Sequence, residues 1–173
     1  MENSVTSAPK RRRIIRVAAI AAAVLAAAAA AVIVWQITRT HIHIPQSVTR
    51  NVSFPIYIPQ KLPHGYTIDE SSFKYVPSEN VLVFQANDQA GDTLVFSEQR
   101  KPSGFNFDDF ANKQLIESKK LPNLPFSTTV GKTLDKQTML LSIVTPTTWI
   151  IATTGAELSN QQFHDVAAAI NKY

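Results

Sequence analysis

The chain has 173 residues, no cysteine, five glycines and a formal net charge of +4. The absence of cysteine excludes thiol catalysis, thiolate-bound metal centres, disulfide stapling and a lipidated N-terminal cysteine. The charge is uneven: residues 1–39 carry six bases and one acid, which leaves 11 bases against 12 acids, a net of −1, on the remainder, so the pI near 9.4 belongs to the N-terminus.

Met1–Pro9 is polar and aperiodic. It leads into a basic cluster of Lys10, Arg11, Arg12, Arg13 and Arg16. Val17–Trp35 follows without one charged or polar side chain, apart from the indole N–H of Trp35. As a helix at ~1.5 Å per residue this run is roughly 28 Å long, close to the hydrocarbon thickness of a bilayer. The basic cluster on its near side puts the N-terminus in the cytoplasm and the remainder outside. Trp35 suits an interfacial anchor, and the run exceeds the ~7–15 residues of a signal-peptide core, so an uncleaved single span is expected. The basic tail fits anionic lipid headgroups, and a nucleic-acid partner is not expected. Ala18, Ala22, Ala26 and Ala30 form a small-residue row, but in so alanine-rich a run nearly every face has one and no particular helix partner is specified.

Residues 36–53 read as an extended extracytoplasmic tether with no helical apolar face. His41 and His43 alternate with Ile42 and Ile44 as on a strand, yet no third ligand stands nearby, so a metal is not expected. The folded domain is expected over residues 54–173. Prolines confine Phe54–Ile58 to a sheet edge or a strand start. Ser72–Val76, Val81–Ala86 and Thr93–Gln99 read as strands joined by short turn-rich breaks, an antiparallel meander. A helix is expected from Phe107 to Lys119, with Asn106 as N-cap, Asp108 and Asp109 in the first turn and Pro122 beyond its end. Phe126–Val130, ended by Gly131, Thr138–Val144 and Thr148–Thr153 read as further strands. Ser159 and Gln162 form a capping box, followed by Phe163, Val166, Ala167 and Ile170 on one helical stripe. The expected fold class is α+β: a transmembrane helix, then an antiparallel sheet of about six or seven strands with two amphipathic helices on one face.

The Leu62-Pro63-His64-Gly65-Tyr66 turn after a proline-rich start, the meander ending in Leu94–Gln99 and the capped last helix after Leu158-Ser159 together resemble a family of uncharacterised bacterial extracytoplasmic domains. Members of that family stand behind a single membrane span or a lipoprotein signal, and some are linked to anti-sigma-factor modules. The resemblance covers about Phe54 to Tyr173. It implies a bacterial envelope location and a fold, and no activity or catalytic residue. The cytoplasmic part here, about 16 residues, is too short to fold around a sigma factor.

No phosphate-binding loop, dinucleotide fingerprint, nucleophile elbow or zinc-protease motif occurs. Asp108 and Asp109 diverge by about 100° on a helix and complement its dipole rather than share a proton. Asp88, Gln89 and Asp92 lack calcium-loop spacing. No catalytic residue, cofactor or metal is expected. The function class indicated is a non-catalytic envelope module binding a protein or polymer. The alternatives are an envelope enzyme, which would show a groove with a strongly shifted carboxylate or histidine, and a sensor.

Overall fold

The computed structural model describes residues 42–134 and 138–173. The expected span 17–35, its flanking residues Lys10, Arg11, Arg12, Arg13, Arg16 and Trp35, residues 36–41 and His41 lie outside the described residues. Among the described residues no helix is long and apolar enough to cross a membrane.

The domain is α+β. Its main sheet has seven strands, all antiparallel to their neighbours: β2 (Thr67–Val76), β3 (Val81–Asn87), β4 (Thr93–Arg100), β8 (Thr148–Thr154), β7 (Met139–Val144), β6 (Ser127–Thr133) and β5 (Leu115–Lys120), in that spatial order. A separate two-stranded ribbon joins β1 (Tyr57–Pro59) to β9 (Ile170–Lys172). Among the described residues three α-helices accompany the strands: a single turn α1 (Gln46–Thr49), α2 (Phe107–Gln114) and α3 (Asn160–Ala168).

Strand alternation sorts the side chains onto two faces. On one face Leu82, Phe84, Leu94 and Phe96 are fully buried. Phe84 stacks between Phe73 and Phe96 with ring centroids 4.9 and 4.8 Å away. α3 closes this face with Phe163, Val166 and Ala167, and Ile170 continues the same core from β9 rather than from the helix. The capping box is formed: Ser159 Oγ accepts from the Gln162 N–H and Gln162 Oε1 accepts from the Ser159 N–H.

Four expectations are corrected. The two helices cover opposite faces of the sheet, not one: Ala111 of α2 and Leu115 pack with Leu140 and Ile151, whose neighbours Leu141, Ile150 and Ala152 point into the α3 side. The helix expected to Lys119 stops at Gln114, because Leu115–Lys120 pairs with the edge of β6, and tertiary pairing outweighs local helical preference. Gly131 lies inside β6 rather than ending it, in the close approach between that strand and Leu115. The stretch expected as a tether is packed from residue 42: Ile44 and Val48 are 3% and 6% exposed members of the main core. Here the His43 N–H donates to Glu70 Oε1 at 2.9 Å.

Candidate functional site

Two features of the domain have chemistry beyond packing. The first is Glu98. It follows Leu94 and Phe96 on the core face of β4, opposite Leu82 and Ile150, and it is fully buried. Its Oε2 accepts the Tyr57 N–H at 3.1 Å, and among the described residues Oε1 has no hydrogen-bond partner. Burial pushes its carboxyl from the ordinary 4.5 up to about 8, against the lowering effect of the Tyr57 N–H. At neutral pH Glu98 is therefore a neutral acid. With Oε2 engaged as acceptor, the carboxyl proton belongs on Oε1.

The residues above Glu98 form a strap, residues 53–59, which links the N-terminal part of the chain to the sheet. Arg100 Nη2 donates to the Ser53 carbonyl at 2.8 Å, Thr148 Oγ1 to the Pro55 carbonyl at 2.8 Å, and the Tyr173 N–H to the Ile56 carbonyl at 2.9 Å. The Tyr57 ring meets Phe126 edge-on at 5.7 Å.

The second feature is the far face of the sheet. Around β8, α2 and the loop before it cover Trp149, whose ring contacts Phe105, Phe107 and Phe110 at centroid distances of 4.8, 5.4 and 5.1 Å. Trp149 Nε1 donates to Ser142 Oγ at 2.9 Å. Over β3 and β4 neither α2 nor α3, nor any other described helix, covers the face. Val83, Val95 and Ser97 are half-buried there and Gln85 is exposed, in two cross-strand rows that run on to Ile151 and Thr153. Lys74 and Asp69 end those rows on β2, and no charged side chain stands between them and β8.

Both edges of the main sheet are irregular. β2 shifts register between Asp69 and Lys74, where Asp69 Oδ1 accepts from the Ser71 N–H and hydroxyl at 2.9 and 2.6 Å. Those bonds hold the Asp69 carboxyl below its ordinary range. β5 shifts between Ile116 and Lys119 around Glu117, which has φ of 54°. Register breaks and charge at an edge disfavour added strands, so a partner pairing on the sheet edge is not the reading these edges favour.

Asp108 and Asp109 do not act as a pair: Asp108 bonds Lys120 at 2.7 Å and Asp109 bonds Lys113 at 2.8 Å, all exposed. Among the described residues no group of three His, Asp or Glu side chains is placed to hold a metal. Two open surface crevices, of about 290 and 150 Å³, flank β5 and β6, and neither is lined by Glu98. The strongly raised carboxylate that an enzyme reading asks for thus exists, but it lies in the core under the strap and not in a groove. Glu98 escaped the sequence reading, although the alternation Leu94, Phe96, Glu98 marks it as inward-facing. Comparison with protein-family models, with curated proteins and with solved structures finds no match.

Proposed function

We propose that this chain is a single-pass envelope protein, anchored by residues 17–35 with its N-terminus in the cytoplasm, whose α+β domain lies outside and recruits a protein partner through the uncovered face of the sheet. The observation that carries the reading is that face: Val83, Val95 and Ser97 form an uncharged surface that neither α2 nor α3 covers. Interface centres are depleted of charge, as this face is. The basic cluster from Lys10 to Arg16, the apolar run and Trp35 support the anchor and its orientation. The resemblance to bacterial extracytoplasmic domains agrees with that location.

Size favours a weak contact. Two strands of seven and eight residues present roughly 23 by 10 Å, or about 230 Å², from strand rise and spacing. A standard interface takes about 800 Å² from each partner. Confinement to a membrane raises effective concentration and makes such a contact useful.

Protease added to spheroplasts tests the anchor: it should degrade the domain and leave the span in the membrane. A soluble mature form beginning after Ala30 contradicts it. A purified domain that turns over a wall or lipid substrate, and loses that activity on a single Asp, Glu or His substitution without unfolding, replaces recruitment by catalysis.

A further inference from the structure

The strap carries the chain from α1 to the sheet, and one of the bonds that hold it ends on a buried acid. The other bonds, from Arg100, Thr148, the Tyr173 backbone, the β1–β9 ladder and Ser53 to Asn80, involve groups that are permanently charged or neutral over the ordinary pH range. The Tyr57 N–H is different, because its acceptor Glu98 exists in two protonation states. We propose that Glu98 is a proton-operated latch: as a neutral acid it lets the strap, residues 53–59, close over the sheet, and as a carboxylate it favours an open strap that admits water.

The geometry supports this at three points. Glu98 is fully enclosed while the strap is down, so a charge formed there has no solvent and only one donor, the Tyr57 N–H. The ionisable side chains on the surrounding elements give no compensation. Arg100 on β4 is exposed, with its guanidinium on the Ser53 carbonyl, and Tyr75 on β2 donates to Asn80. Tyr57 turns its ring to Phe126, and Lys172 and Tyr173 at the C-terminus are exposed. β3 and β8 present only Leu82 and Ile150 opposite Glu98. Finally, the strap lies outside the main sheet, so lifting it leaves the seven-stranded ladder intact while it breaks the β1–β9 pairing and uncovers Phe54, Ile56, Tyr57 and Ile58.

The direction of the effect follows from linkage. The closed strap holds Glu98 at about 8, whereas an open strap returns it to an ordinary value near 4.5. Between those values the open form is ionised and the closed form protonated, so opening becomes about tenfold more favourable with each pH unit. Below that window the proton is bound in both forms, and above it in neither. Acid therefore fastens the strap and alkali loosens it.

Site-resolved amide exchange on the full chain tests this, with rates corrected for intrinsic base catalysis. The Tyr57 and Tyr173 amides should open more readily than the central Phe96 amide, and their opening should rise up to tenfold per unit between pH 5 and 8. In Glu98→Gln, which keeps shape and an acceptor for Tyr57, that rise should vanish. If Tyr57 exchanges only as slowly as Phe96, or shows the same pH dependence in the variant, the latch is refuted. Infrared spectra of the unmodified chain give a second readout independent of the variant: a protonated-carboxyl band at pH 6 should disappear around pH 8. Absence of that band at pH 6 also refutes the latch.

Discussion

Leu115 packs so closely over Gly131 that a Cβ on the glycine would sit 3.1 Å from the Leu115 Cβ and 3.2 Å from the Ile116 carbonyl oxygen. The carbonyl belongs to the paired β5 backbone and cannot turn away. Gly131→Ala should therefore destabilise the domain by about 1–3 kcal/mol through overpacking. Gly155→Ala, where nothing lies within 4 Å, is the matched control. Equal denaturant midpoints for the two variants would contradict the close packing of β5 on β6.

The buried Glu98 should make the whole domain's stability depend on pH. Its folded value is raised, so its contribution is fully present below about 4.5 and is lost as pH rises toward about 8. The slope in that window is at most about 1.4 kcal/mol per unit. Asp69 is shifted downward, so any effect of it falls at the acid end, outside this window. Denaturant unfolding from pH 5 to 8 should show the decline in the native sequence and a flatter profile in Glu98→Gln. Parallel profiles would mean that Glu98 is ionised in the folded state.

The α3 stripe sets a sharp contrast between adjacent residues. Phe163 is fully buried, while the His164 side chain is 32% exposed beside Asp165. Phe163→Ala should cost roughly 3–5 kcal/mol, comparable to the whole stability of a small domain. His164→Ala should cost little. Equal melting temperatures for the two would show the helix packed on the wrong face.

Where the domain begins is also open to measurement. Ile44 and Val48 are core residues, and full burial of both contributes on the order of 3–6 kcal/mol. A chain beginning at Ile42 should melt cooperatively and well above one beginning at Phe54. Indistinguishable melting curves would return residues 42–53 to the role of a tether.

The strands most readable from sequence were those whose burial follows a strict period of two. Val81–Asn87 and Thr93–Arg100 each bury every second residue, and α3 is marked by a complete capping box. Leu115–Lys120 was not readable, because its only buried side chain is Leu115 and its strand character comes from the neighbouring edge of β6. The same holds for β9: Ile170 keeps the helical spacing of the stripe before it, and only pairing with Pro59 makes it strand. Glu98 was hidden by its own chemistry. An acid is expected outside, and only the alternation through Leu94 and Phe96 places it inside. The uncovered face was hidden because covering one face with both helices, as the apolar stripes allowed, would have left the other face wholly bare. The split of α2 and α3 across the sheet leaves the part over β3 and β4 without a covering helix among the described residues.

The most direct test of recruitment compares the two sides of the domain in living cells. A photo-crosslinking residue is placed at Val83, on the uncovered face, and in a second strain at Gln161, on the exposed side of α3. The account predicts one discrete protein adduct from position 83, absent from position 161, and lost when Val95→Glu is added without a change in melting temperature. Identical adducts from both positions, or none from position 83 while the domain is folded and in the membrane, would contradict it.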